Sequence, residues 1–144
     1  MATALEEGLV SFICSDAAVT AFVAERVSRW SAQGEVLPRV TYDIVTVRDE
    51  QSVNVSTGQP VATIRVTVWG QTASEARAIS RLLRNSQGGG SGKRLREFQG
   101  SMGGVWVQSC RVENEQDVEL PSPLADGRPL IGVSFDLVIG FIEQ

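Results

Sequence analysis

Apolar residues at Leu5, Leu9, Phe12 and Ile13 follow the i, i+4, i+7, i+8 spacing of a helix with one buried stripe. Ser15 or Asp16 is placed to cap a second, short helix in which Val19, Phe22 and Val23 face inward. A polar stretch from Ser28 to Pro38 follows, and Trp30 and Gly34 within it suggest an ordered excursion. Alternation then takes over. Val40, Tyr42 and Ile44 alternate with Arg39, Thr41 and Asp43, which predicts a half-buried strand over 39–48. Asp49 to Gln59 is polar, is punctuated by Gly58 and Pro60, and reads as a long hairpin connection. The next strand runs from Val61 to Trp69, with Ala62, Ile64, Val66 and Val68 on one face and Thr63, Arg65, Thr67 and Trp69 on the other.

Gly70 ends that strand, and Thr72-Ala73-Ser74-Glu75 has the residues of a capping box. In that motif the Thr72 hydroxyl accepts from the Glu75 amide while the Glu75 carboxylate reaches back to the Thr72 amide. The helix it opens is expected to continue to about Asn85 and to bury Ala76, Ile79, Leu82 and Leu83. Arg77, Arg81 and Arg84 recur along its other side. Residues 86–104 read as a glycine-rich flexible loop, with Gly88 to Gly92 a tether by composition. Val105 to Val112 is a third strand. The fourth is the clearest: Val133, Phe135, Leu137, Ile139 and Phe141 alternate with Ser134, Asp136, Val138, Gly140 and Ile142. Each such apolar side chain contributes about 1.5–3 kcal/mol on burial, so this strand is expected to be central. The order helix, helix, strand, strand, helix, strand, strand predicts an α+β fold: a single antiparallel four-stranded sheet with helices packed on one face. No repeat or second domain is visible, and residues 1–144 are read as one domain.

Composition narrows the chemistry more than the fold. The 144 residues contain no histidine, which removes the commonest general acid/base and every Ser-His-Asp arrangement. Cys14 and Cys110 form no CxxC pair and sit inside apolar patterns, so both are expected to be small buried hydrophobes without a disulfide. No run approaches the ~20 apolar residues of a membrane span. Glu6 and Glu7 interrupt the first residues, and no secretory leader is expected there. A net charge of −4 argues against nucleic-acid binding by bulk electrostatics but leaves a local basic patch open.

Three constellations remain. The string Gly88 to Arg94 invites a phosphate-loop reading, but Gln87 stands where the first glycine is needed and Arg94 where the hydroxyl is needed. Glu113, Glu115, Asp117 and Glu119 fall on every second residue, so a continuing strand would set all four carboxylates on one face. That row reads as a solvated acidic hairpin, as a hard-cation site, or as a complement to the row of Arg77, Arg81 and Arg84 across a subunit boundary. Lys93, Arg94 and Arg96 with Phe98 make a small basic patch, either a soluble loop tip or a contact for a nucleic-acid backbone. Trp69, opposite the core residues of its strand, is either exposed at an interface or packed under a loop. No catalytic, cofactor or metal residue is assigned.

The chain resembles the tail terminator, or tail completion, proteins of long-tailed bacteriophages and gene transfer agents. The residues that carry the likeness are Asp16 to Val23 with Arg26-Val27, Leu37 to Tyr42, Val68-Trp69, Ala73 to Arg77, Phe98 to Gly100, Gly104 to Ser109 and the acidic stretch to Asp117. Gly132 to Leu137 completes it, resembling the family's closing strand. The resemblance implies a structural virion protein at the head-proximal end of the tail, assembled in the host cytoplasm. Such a protein forms a ring, usually sixfold, that caps the tail tube, ends its polymerisation and joins tail to head. The implied partners are further copies of the chain, tail tube protein and the head–tail connector, with DNA only in passage. The implied ring, which one reading forms from monomers only at assembly, has no catalytic residues. A contact of Arg77, Arg81 and Arg84 with Glu113, Glu115 and Asp117, with Trp69 nearby, would suit its subunit boundary, and Lys93, Arg94 and Arg96 a loop facing the lumen or DNA. A head-side connector protein, or a nucleic-acid-binding module, is the alternative.

Overall fold

The computed structural model describes residues 3–23, 27–29, 38–52, 55–85, 95, 98–102, 104–120 and 130–143. Two helices open the chain, α1 (Thr3–Cys14) and α2 (Ala17–Val23), followed by a short strand β1 (Val27–Arg29). Asp16 caps α2, its Oδ1 accepting from the Ala18 amide at 2.8 Å. Two long strands, β2 (Arg39–Ser52) and β3 (Val55–Gly70), lead into α3 (Ala73–Arg84). A three-residue strand β4 (Gly100–Met102) then precedes the long β5 (Val105–Leu120) and β6 (Leu130–Glu143).

The strands form one six-stranded sheet in the order β1-β2-β3-β6-β5-β4, curled into a half-barrel. This corrects the expected four-stranded antiparallel α+β sheet. The sheet is mixed, because β1 runs parallel to β2, and strand dominates the molecule. The two added strands lie at the edges and span three residues each, too few for an alternating pattern to show. The polar segment 49–59 also differs from its reading as a connection. Pairing runs from Arg48 opposite Val61 out to Ser52 opposite Val55, with a register shift at Glu50/Gln51. The β3–β6 ladder, by contrast, ends at Val61 opposite Gly140. Its next β3 residue is Pro60, which has no N–H to donate.

Residues directly opposite one another in an antiparallel ladder point to the same side, so the register sorts the sheet into two faces. On the helix side lie Val40, Ala62, Ile64, Val66 and Val68 with Val133, Phe135, Leu137, Ile139 and Phe141, all buried. Leu5, Leu9, Ile13, Val19, Val23, Ile79 and Leu83 of the three helices close over them. Gly8 lets α1 lie directly on the carbonyl of Met102 in β4, where a Cβ would collide with that backbone. Within the glycine-rich stretch, Leu95 and Phe98 are buried, and Phe98 meets Phe12 edge-on with ring centroids 5.0 Å apart. Two expected inward positions turn out: Phe22 and Leu82 are exposed, and Ser80 takes the buried place on α3.

Candidate assembly interface

The start of α3 fixes the arginine row in space. Thr72 is its N-cap, and its Oγ1 accepts from the Glu75 amide at 3.1 Å. The Glu75 carboxylate returns to the Gln71 amide at 2.9 Å, one residue earlier than the expected Thr72 amide. Ala76, Ile79 and Leu83 then anchor the helix on β3 and β6, which turns Arg77, Arg81 and Arg84 toward β5.

On β5 the acidic row is split. The strand does continue from Val105 to Leu120, but its register shifts between Glu113, opposite Asp136, and Gln116, opposite Ser134. One extra residue is accommodated there, and Asn114 adopts φ 55°, the left-handed region that Asn tolerates. The bulge reverses the alternation. Glu113 stays on the outer side with Asp136, whereas Asp117, opposite Val133, points to the helix side. Asn114 braces the turn by donating from Nδ2 to Asp136 Oδ2 at 3.2 Å.

The two charge rows consequently meet within one chain. Arg77 Nη2 lies 2.8 Å from Asp117 Oδ2, and Arg84 Nη1 lies 2.5 Å from Glu115 Oε2. The hydrogen bond and the opposite charge raise the Arg77 pKa and lower that of Asp117. Glu113 pairs with Arg111 on its own strand at 2.8 Å. Among the described residues, Arg81 makes no ion pair and stands exposed between its two engaged neighbours. Lys93, Arg94, Arg96, Trp30 and the Gly88–Gly92 stretch lie outside the described residues.

The outer side of the sheet is mostly polar. Asp43, Arg65 and Asp136 lie side by side across β2, β3 and β6. Arg65 Nε donates to Asp136 Oδ1 at 3.0 Å, which raises the arginine pKa. Trp69 belongs to this side and is only 3 % exposed. Its indole lies over Gly132, where an added Cβ would stand 2.7 Å from Trp69 Cε3, and its Nε1 donates to Thr41 Oγ1 at 2.9 Å. Beside it opens a depression of about 340 Å³ bordered by Thr41, Asp43, Arg65, Thr67, Trp69 and Val118.

At the other end of the same side, Trp106 stands directly opposite Ile142, and the two are 46 % and 40 % exposed. Sequence reasoning missed this pair. The signal was available, because Trp106 alternates out of phase with Val105 and Val107, both of which are buried. Neither Cys14, which is half-buried, nor the buried Cys110 is in a disulfide, and burial pushes the Cys110 thiol up to about 12, where it is inert at neutral pH. Among the described residues, no three His, Cys, Asp or Glu side chains converge on a metal position, and no helix is long and apolar enough to cross a membrane.

Comparison with known proteins adds identity to this geometry. The fold is similar to a chain in the solved virion of a native gene transfer agent particle, with a TM-score of 0.58, 14 % sequence identity and 96 % of each chain covered. No curated protein sequence matches the chain. Residues 7–121 match the model of tail completion protein gp17, a span that takes in both charge rows, Trp69 and Trp106. The chain is thus a structural protein of the phage-tail type and belongs to the tail completion protein gp17 family.

Proposed function

We propose that the protein forms a ring on the head-proximal end of a tail tube, stops the tube from growing and presents a surface to which the head is joined. The observation that carries this reading is the family match across residues 7–121. The geometry is consistent with a role in binding other proteins. The described residues hold a large curved sheet, an open depression and exposed apolar side chains. Capping requires two unlike faces, one that matches the growing end of the tube and one that does not.

The subunit boundary in this reading uses what the charge rows leave over. Arg77 and Arg84 engage Asp117 and Glu115 within the chain and hold α3 on β5, so Arg81 is the cation offered to a neighbouring copy. Exposed ion pairs of this kind orient partners more than they add affinity. The test is tail tube protein polymerised with and without this chain and imaged by electron microscopy. A ring at one end of tubes that stop lengthening supports the reading. Unrestrained tubes, with the protein bound instead to a head-side connector, would favour the connector alternative. Arg81→Glu is expected to weaken ring formation, and unchanged assembly would remove Arg81 from the boundary.

A further inference from the structure

We propose that the end of β5, residues 115–120, has two registers against β6, and that a one-residue slip between them is an electrostatic switch acting on α3 and on the surface beside Trp69. In the observed register Gln116 stands opposite Ser134, Asp117 opposite Val133 and Val118 opposite Gly132. The slipped register continues the ladder of Ser109 to Glu113 without a second shift. It sets Glu115 opposite Ser134, Asp117 opposite Gly132 and Val118 opposite Ile131. This switch lies within one chain and stands apart from the ring reading.

The amino-acid pattern fits the slipped register better than the observed one. Arg111, Glu113, Glu115, Asp117 and Glu119 fall on one phase of the strand, and Cys110, Val112 and Val118 on the other. An unbroken ladder places all five charges on the outer side and the three apolar residues on the helix side. In the observed register Asp117 and Glu119 turn to the helix side and Val118 turns out. The shift that does this is held at Asn114, whose φ of 55° puts a residue other than glycine in the left-handed region.

What offsets that strain is polar and close to water. Arg77 pairs with Asp117, Arg84 with Glu115, and Asn114 Nδ2 donates to Asp136. Arg77 and Asp117 are both more than half exposed, so salt screens their attraction. Repulsion opposes the slip, because it gathers Glu113, Glu115, Asp117 and Glu119 on the side that holds Asp136, and salt screens that as well. Rising ionic strength therefore drives the slip twice over. Its consequences are specific. Arg77 and Arg84 are released to stand with Arg81 as a row of three cations on α3. Beside Trp69, the Asp117 carboxylate takes the place of Val118.

The experiment traps each register with a disulfide, because directly opposed residues of an antiparallel pair lie within disulfide reach. Glu119→Cys with Ile131→Cys closes in the observed register, and Val118→Cys with Ile131→Cys closes in the slipped one. Closure under oxidised glutathione is timed by peptide mass spectrometry, and circular dichroism checks that each variant is folded. The slipped pair should close more slowly than the observed pair. Adding Asn114→Val should speed it about five- to thirtyfold. Arg77→Ala with Arg84→Ala should speed it about three- to thirtyfold, and about 1 M sodium chloride more than about twofold. These last two carry the test if Asn114→Val does not fold. Deleting Asn114 removes the extra residue while keeping Asp117 opposite Val133, so the slipped pair should no longer close. A slipped pair that closes in none of these backgrounds overturns the switch. So does one that closes equally with and without Asn114, which would mean that the strand end frays and does not slip.

Discussion

Trp69 and Trp106 occupy opposite ends of the same outer side of one sheet, each on a long strand, each out of phase with buried neighbours, yet only Trp106 is substantially exposed. The residue across the ladder accounts for the difference. Opposite Trp69 stands Gly132, which has no side chain, so the Cε3 edge of the indole lies over β6 while its Nε1 donates to Thr41 on β2, the neighbour on the other side of β3. Opposite Trp106 stands Ile142, a branched side chain in place of a glycine, and both residues stay exposed. A strand's own pattern assigns a side, and its partner strand decides whether that side is covered.

The contrast is broken most severely at Trp69. Trp69→Ala is expected to cost about 3–5 kcal/mol, because it empties a closed site and strands the Thr41 hydroxyl. Trp106→Ala in the dissociated chain should stay within about 0.5 kcal/mol of wild type. Urea unfolding of the two variants at high dilution measures the gap, and equal losses would mean that the two ends do not differ as described. Gly132→Ala attacks the cause instead. Its methyl would stand 2.7 Å from Trp69 Cε3 and 2.8 Å from the Val68 carbonyl oxygen. Overpacking of this kind typically costs about 1–3 kcal/mol, and the indole emission of Trp69 should shift as it is lifted toward water. An unchanged spectrum and midpoint would show that the glycine is not what lets the Trp69 indole lie over β6.

β5 carries a comparison of its own, between the segments before and after Asn114. From Ser109, just past a first register shift after Val107, to Glu113 the strand alternates without a break, and beyond the second shift at Asn114 the alternation reverses again. Asn114→Val puts a β-branched residue at φ 55° and should cost on the order of 1–2 kcal/mol. Asn114→Gly keeps the backbone and gives up only the bond to Asp136, so its loss should be the smaller one. Hydrogen exchange along 113–118 checks this. Equal loosening in both variants would mean that the left-handed backbone is not the constraint.

The same particulars show how far the residues could be read without coordinates. The helix-side stripe of β6 was legible because five apolar positions in strict alternation leave one arrangement that buries them all. The cap at Thr72 was legible as a local motif, down to the hydroxyl that accepts, although the returning carboxylate chose Gln71. The parallel edge strand at Val27–Arg29 was not, because three residues carry no periodicity and its partner lies elsewhere in the chain. The acidic row was misjudged for a related reason. Period-two reasoning assumes an unbroken ladder, and Asn114 is not among the Gly and Pro signals usually read as breaks. Trp69 was assigned to the right side of its strand, while Gly132, the residue that buries it, stands on a strand far along the sequence.

The smallest expected effect lies where the bulge delivers Asp117 to Arg77, next to the Val118 wall of the depression. Both side chains are more than half exposed, so the pair acts as a locator and solvent screens its contribution to stability. The hydrogen bond and charge of Arg77 lower the Asp117 pKa in the folded chain. A carboxyl with a lowered folded pKa contributes stability above its unfolded value, about 3.9, and loses that contribution as the pH falls through the lower folded value. An NMR titration of the Asp117 carboxyl carbon should therefore give a midpoint below the ordinary aspartate range, and Arg77→Ala should return it there. If Asp117 titrates normally with Arg77 present, α3 is not held to β5 at this point. The wall beside Trp69 would then owe its position to the ladder with β6 alone.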